Sequence, residues 1–256
     1  MTRIVLFSDP HYTPGLLAEG VRDCSAALDR LRILREQTAD CDLYINLGDS
    51  INGTGTSEVD QTVYRDYMRF WEGCPVVHLP GNHDAYYLAP ALLDGFCPEP
   101  GMGCSRAFDR GGVRFLALDA NFHKDGRPYG GIPGDWTDSA LPAKQLAWLE
   151  KQLASCESAV ILIHQNLDDR AWGKDGHVVQ NAAQVRQVLE QSGKVRAVFQ
   201  GHYHKGLTQV LNGIPYYTLP ALCECVSTRT QEGPGICYYL LSYEEPWAMD
   251  LRFYRS

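Results

Sequence analysis

Val76-Val77-His78-Leu79-Pro80-Gly81-Asn82-His83-Asp84 begins as an apolar run, breaks at a proline and a glycine, and then displays three polar side chains in succession. The opening residues read as a strand, and Pro80-Gly81 as a sharp turn at its end. An asparagine carbonyl oxygen can ligate a metal, and a histidine beside a carboxylate is suited to proton transfer. Working outward, four further apolar runs stop in the same way: Ile4 to His11 (IVLFSDPH), Leu43 to Asp49 (LYINLGD), Val160 to His164 (VILIH) and Val195 to His204 (VRAVFQGHYH). Ligand-type side chains at the ends of five strands point to a metal centre built along one edge of a sheet.

Between these runs the periodicity changes. Leu16 to Gln37 carries Leu17, Val21, Leu28, Leu31 and Leu34 near helical spacing, and Ser57 to Trp71 does so with Val59, Val63, Tyr67 and Phe70. Asp60, three residues after Ser57, is expected to complete a capping box. Leu141 to Leu153, with Pro142 near its start, and Asn181 to Ser192, closed by Gly193, read as two more helices. The first half is therefore β-α-β-α-β, a pattern of parallel strands joined by crossover helices. From Lys205 onward the strand-like segments Leu207 to Leu211, Ile214 to Leu219, Ile236 to Ser242 and Met249 to Tyr254 follow without helices, and Asn212-Gly213 is a hairpin signal. The expected fold class is α/β, with two sheets packed face to face and helices outside. No repeat, linker or charge block divides the chain, so residues 1–256 read as one domain.

With 256 residues, 45% of them hydrophobic, the chain can bury a substantial core. No apolar stretch approaches the ~20 residues of a membrane helix, so no membrane partner is expected. MTRIVLFSD reaches Ser8 and Asp9 after only four apolar residues, too few for a signal-peptide core, which points to the cytoplasm. The nine cysteines are odd in number, irregularly spaced and without a C-x-x-C pair; Cys97 with Cys104 and Cys223 with Cys225 are the close ones. Free thiols are expected, not a disulfide framework or a zinc knuckle. A net charge of −8 argues against tracking long nucleic acid. A small phosphorylated substrate remains compatible, because bound divalent ions make a site locally positive.

Taken singly the motifs are ambiguous. Asp9 and His11 around Pro10 also describe a capping aspartate beside a surface histidine, Asp49 after Gly48 a turn, and His164 a core histidine. Gly201-His202-Tyr203-His204 is more specific, since two histidines one residue apart can reach two neighbouring ions. In order, D-x-H, G-D, G-N-H-D, H and G-H-x-H resemble the calcineurin-like metallophosphoesterase superfamily over Asp9 to His204. The resemblance implies a four-layer α-β-β-α sandwich of two mixed β-sheets with flanking helices, and a two-metal centre at the carboxyl ends of the strands. It also implies that Asp9, His11 and His204 hold one ion, that Asn82, His164 and His202 hold the second, and that Asp49 bridges them.

Two divalent ions roughly 3.5–4 Å apart can share a water, lower its pKa and clamp the oxygens of an in-line phosphoryl displacement. A nitrogen and oxygen ligand set without cysteine suits manganese, iron or zinc and does not choose among them. His83, which the turn directs away from Asn82, is expected to stabilise charge or protonate the leaving oxygen, with Asp84 orienting it. Substrate contacts are expected from loops at the same edge, at Tyr12, Tyr86, Trp172 and Tyr203, with Tyr87, His123 and His177 as further candidates. Asn121 to Asp138, which contains Arg127 and Trp136, is long enough for a lid or rim. Gln165-Asn166 departs from the His-Pro of many relatives with cyclic nucleotide activity. Asn52 is expected to stand behind the ligands, and His78 in the core. The leading reading is a binuclear phosphohydrolase acting on a phosphodiester, nucleotide or diphosphate. The alternative is a metal-binding or vestigial protein-interaction scaffold of the same fold, disfavoured by the intact His83 and the full ligand set. A mononuclear iron oxygenase using two histidines and a carboxylate would leave several motif residues without a task.

Overall fold

The computed structural model describes residues 1–15, 22–168, 176–225, 235–244 and 248–256. β1 (Thr2–Phe7), α1 (Ala27–Gln37), β2 (Leu43–Asn46), α2 (Ser57–Phe70) and β3 (Val76–His78) form the β-α-β-α-β unit, with all three strands parallel. After a short helix α3 (Asn82–Tyr87), a second sheet is built from β4 (Arg106–Arg110) and β5 (Val113–Ala117). It continues past α4 (Ala143–Ala154) with β6 (Ala159–Ile163), and past α5 (Ala182–Ser192) with β7 (Val195–Gln200), β8 (Leu207–Leu211) and β9 (Ile214–Thr218). The last two strands, β10 (Cys237–Tyr243) and β11 (Met249–Arg255), return to the first sheet, where β10 runs antiparallel to β1. The strand orders are β11-β10-β1-β2-β3 and β4-β5-β6-β7-β9-β8, and both sheets are mixed.

The side-chain alternation of each strand builds the layers. Ile4 and Leu6 of β1, Ile45 of β2, Phe115 of β5, Leu162 of β6 and Phe199 of β7 meet in one buried seam between the sheets. Val5 and Phe7 point the other way, into a cluster with Leu31 and Leu34 of α1 and Val63 and Tyr67 of α2. Ile161 and Ile163 likewise pack with Leu146 and Leu149 of α4 and Val185 and Leu189 of α5. Those three clusters separate four layers, the α-β-β-α sandwich expected from the motifs.

Three local expectations need correcting. The helix predicted from Leu16 begins at Ala27; Asp23 Oδ1 accepts the Ala26 N–H at 3.3 Å and turns the chain before the helix starts, while residues 16–21 lie outside the described residues. Asp60 forms no capping box with Ser57. Its carboxylate reaches back to Thr54 N at 2.7 Å and Gly55 N at 3.1 Å, tying down the preceding loop instead. Pro142 stands just before α4, near its start as expected. Finally, Cys225 and Cys237 form a disulfide with Cα atoms 6.5 Å apart, while the other seven cysteines are free as expected. The return of β10 beside β1 brings that pair together, a long-range event that cysteine spacing does not reveal. At Asn212-Gly213 both residues take positive φ, 48° and 84°, as the hairpin between β8 and β9 requires.

Candidate metal centre

Every sequence-predicted ligand lies just past the carboxyl end of a strand. Asp9 and His11 follow β1, Asp49 follows β2, Asn82 opens α3 after β3, His164 follows β6, and His202 and His204 follow β7. Backbone bonds interlock the loops: Asp9 N to Gly48 O at 3.0 Å, His11 N to Asp49 O at 2.9 Å, and Gly201 N to His164 O at 3.0 Å. Asp9, His11, Asp49 and His202 all adopt left-handed backbone, with φ of 54°, 47°, 53° and 66°. Among the described non-glycine residues only Asn212 shares it. Such strain concentrates where surrounding structure forces side chains into a functional geometry.

The glycines of the motifs make the close approach possible. A Cβ on Gly81 would collide with the backbone and carboxylate of Asp49, and one on Gly201 would meet Ser8 Oγ and Asp9 Oδ2. The side chains then fall into two groups. His11 Nε2 lies 3.4 Å from Asp49 Oδ2 and 3.2 Å from His204 Nε2, which is itself 3.3 Å from Asp9 Oδ1. On the other side His164 Nε2 is 3.3 Å from both Asp49 Oδ2 and Asn82 Oδ1, and His202 joins Asp49 and His164 with ligating atoms within 4.8 Å of one another. Asp49 belongs to both groups.

This donor set fits two cations. Asp9 Oδ1 and His202 Nε2 are buried without a hydrogen-bond partner, and two imidazole nitrogens face each other across 3.2 Å. Nitrogens that face each other so closely need a proton or a cation between them, and the unpartnered Asp9 oxygen and His202 nitrogen beside them suit the cation. Burial opposes ionisation of Asp9 and Asp49, yet the surrounding imidazoles hold both carboxyls below their usual range. Burial brings His11 down to about 4 and lowers His202, leaving neutral rings ready to ligate. It opposes protonation of His164 and His204 as well, but Asp49 raises the first and Asp9 with Glu224 the second, each to about 9. Cation binding would displace protons from that second pair.

His83 donates Nδ1–H to the Asn52 carbonyl at 2.6 Å, so Nε2 is the nitrogen left to the cavity, and its backbone N–H donates to Asp49 Oδ1 at 2.9 Å. The expected orientation of this ring by Asp84 is overturned. The Asp84 carboxylate accepts N–H groups from Gly81 at 3.0 Å, Ser50 at 3.0 Å and Ile51 at 3.1 Å, welding the Asp49 loop to the Asn82 turn. Burial and the nearby Asp49 charge push this carboxyl up to about 7 against those bonds.

The substrate candidates divide. Tyr203 lines a cavity of about 520 Å³ over the ligands, together with Trp136, His177, Lys205 and Arg22. Tyr12 does not: it is buried in the α1 side core and bridges to Ile51. Tyr86 is buried against Tyr129, the ring centroids 4.3 Å apart, and His123 faces Asp138. Trp172 lies outside the described residues. His78 is buried against Tyr67 and Trp71. Sequence reasoning missed the braces. Ser8 Oγ donates to Asp9 Oδ2, Glu224 Oε1 accepts His204 Nδ1–H at 2.5 Å, and Gln165 Nε2 donates to Asn121 Oδ1 at 2.7 Å. Ser8 adjoins its ligand and could have been found; Glu224 arrives from a turn after β9 that no local pattern marks.

The calcineurin-like phosphoesterase family model matches residues 2–206. The chain belongs to that family. It is a hydrolase of phosphoester bonds, and its relatives spread over the family. A 3',5'-cyclic adenosine monophosphate phosphodiesterase, CpdA of Haemophilus influenzae, is 25% identical over 95% of this chain and 82% of its own length. The serine/threonine-protein phosphatase CPPED1 of Mus musculus is 27% identical over 63% of this chain and 53% of its own. A dimetal phosphatase from Danio rerio has the same fold, with a TM-score of 0.76 and 17% identity over 100% of this chain and 96% of that one. Among the described residues no helix of the phosphoesterase is long and apolar enough to cross a membrane.

Proposed function

We propose that this phosphoesterase hydrolyses a small phosphorylated substrate at a two-ion centre, with residues 1–256 acting as one unit. Asp9, His11 and His204 would hold one ion, Asn82, His164 and His202 the other, and Asp49 both; manganese, iron and zinc all suit this donor set. The observation that carries the reading is the convergence of seven donors from five strand ends, with orphaned atoms inside and left-handed backbone beneath. When bound, the ions would supply Lewis acidity toward the phosphoryl oxygens and an activated water. The chain's own residues do the rest. His83, fixed by Asn52, presents Nε2 to the cavity, where a protonated ring donates to the departing oxygen. Glu224 keeps His204 in the tautomer that directs Nε2 inward. A cavity of about 520 Å³ is of nucleotide size, which is compatible with relatives named as cyclic nucleotide phosphodiesterases and as a phosphatase.

The test is hydrolysis of p-nitrophenyl phosphate and bis(p-nitrophenyl) phosphate by purified protein loaded with manganese, iron or zinc, alongside metal analysis. Two equivalents of metal and turnover are expected, with both lost in Asp49→Ala. Two bound ions with no turnover on any phosphoester would favour the scaffold alternative.

A further inference from the structure

The cavity wall carries a guanidinium that the ligand set does not use. Arg22 lines the cavity with His83, His204 and Glu224. Its Nη1 donates to Asn52 Oδ1 at 3.4 Å, and it makes no ion pair among the described residues. Arg30 of α1 is its opposite, buried and fully committed: it donates to the Asp23 carbonyl at 2.9 Å, the Asp23 carboxylate at 3.3 Å and the Cys225 carbonyl at 3.2 Å. With the bond from Asp23 N to Cys223 O at 3.0 Å, those contacts fasten the backbone next to Arg22 to the turn that carries Glu224. Arg22 therefore has a fixed base and a lightly held tip, and that tip shares Asn52 with the ring of His83. Of the two carboxylates lining the same cavity, Asp49 belongs to the ligand set and Glu224 is already engaged by His204 Nδ1.

A phosphomonoester presents three non-bridging oxygens and carries up to two negative charges, whereas a diester presents two such oxygens and one charge. A planar guanidinium offers forked N–H donors that match a pair of phosphoryl oxygens. Where a diester places its second alkoxy group, the same guanidinium meets bulk without charge. We infer that Arg22 binds the non-bridging oxygens of the substrate phosphoryl group and favours phosphomonoesters over phosphodiesters, an inference that rests on the hydrolytic reading above. Lys205 adds positive charge to the same cavity but lacks the fork.

Manganese-loaded wild type, Arg22→Ala and Arg22→Lys should be compared on p-nitrophenyl phosphate and bis(p-nitrophenyl) phosphate, with metal content measured and inorganic phosphate binding followed by calorimetry. In Arg22→Ala the monoester kcat/KM falls about 100-fold, and the diester value less than about 5-fold, the loss typical of one preorganised donor on a developing charge. Phosphate binding weakens by about tenfold, metal content is unchanged, and Arg22→Lys recovers only part of the monoester rate. Equal losses on the two esters, unchanged phosphate binding, or loss of metal would overturn the inference. A wild type that binds phosphate but hydrolyses neither ester would instead overturn the hydrolytic reading.

Discussion

Asn52 serves two neighbours at once, its backbone carbonyl holding the His83 ring and its side-chain oxygen accepting from Arg22. His83 therefore depends on a loop carbonyl for its aim, and Asp84 is free for a different task. His83→Ala is expected to keep both ions and lose about 100-fold or more in kcat, the range for a removed proton donor. Asp84→Asn should instead lose metal, and turnover with it. An amide cannot accept the three N–H bonds of Asp84 as the carboxylate does, so stability falls by about 1–3 kcal/mol and metal is lost as the Asp49 loop loosens. Metal analysis and urea unfolding of the two variants separate these roles, and equal metal loss in both would refute the division. The sequence named both residues but mistook what aims the His83 ring, because adjacent residues entering a helix point about 100° apart.

At the scale of elements, the loops after β1 and β7 touch through Gly201, whose missing Cβ admits Ser8 and Asp9. Gly201→Ala should push the Asp9 loop away and weaken metal binding by at least about tenfold, while the strands themselves stay paired. Titration of metal-free protein, with circular dichroism as the check on folding, measures it; unchanged affinity would show that the loop yields freely. Strand ends, α2, α5 and the hairpin at Asn212-Gly213 were legible because hydrophobic period and turn chemistry are local. The left-handed backbone of Asp9, His11, Asp49 and His202 was not. Aspartate and histidine adopt positive φ more readily than most residues, but which of them do so is decided by contacts between loops distant in sequence, such as Asp9 N to Gly48 O and His11 N to Asp49 O. The Cys225–Cys237 bond and Glu224 were hidden for the same reason.

For the whole molecule, one contribution to acid stability comes from a histidine outside the ligand set. His78 is buried among Tyr67 and Trp71, and burial lowers it from its ordinary value to about 4, with Asp94 opposing and Arg106 assisting. The unfolded chain thus takes up this proton more readily than the folded one. The stability that a neutral His78 contributes is complete above about pH 6.5 and is lost as pH falls toward 4. His78→Phe should flatten the fall of the urea midpoint across that window relative to wild type. Parallel curves would show that other groups control the acid side.

Asp9, His11, Asp49 and Asn82 follow strands of the first sheet, whereas His164, His202 and His204 follow strands of the second. The sheets also meet through an apolar seam, whose hydrophobic driving force has no preferred direction. Ligand bonds are directional. Two ions held from both sides would act as rivets at one edge of the seam, adding directional resistance to shear to that of the packed side chains. The sheets would then be locked in lateral alignment at the edge that has to hold a phosphoryl group still.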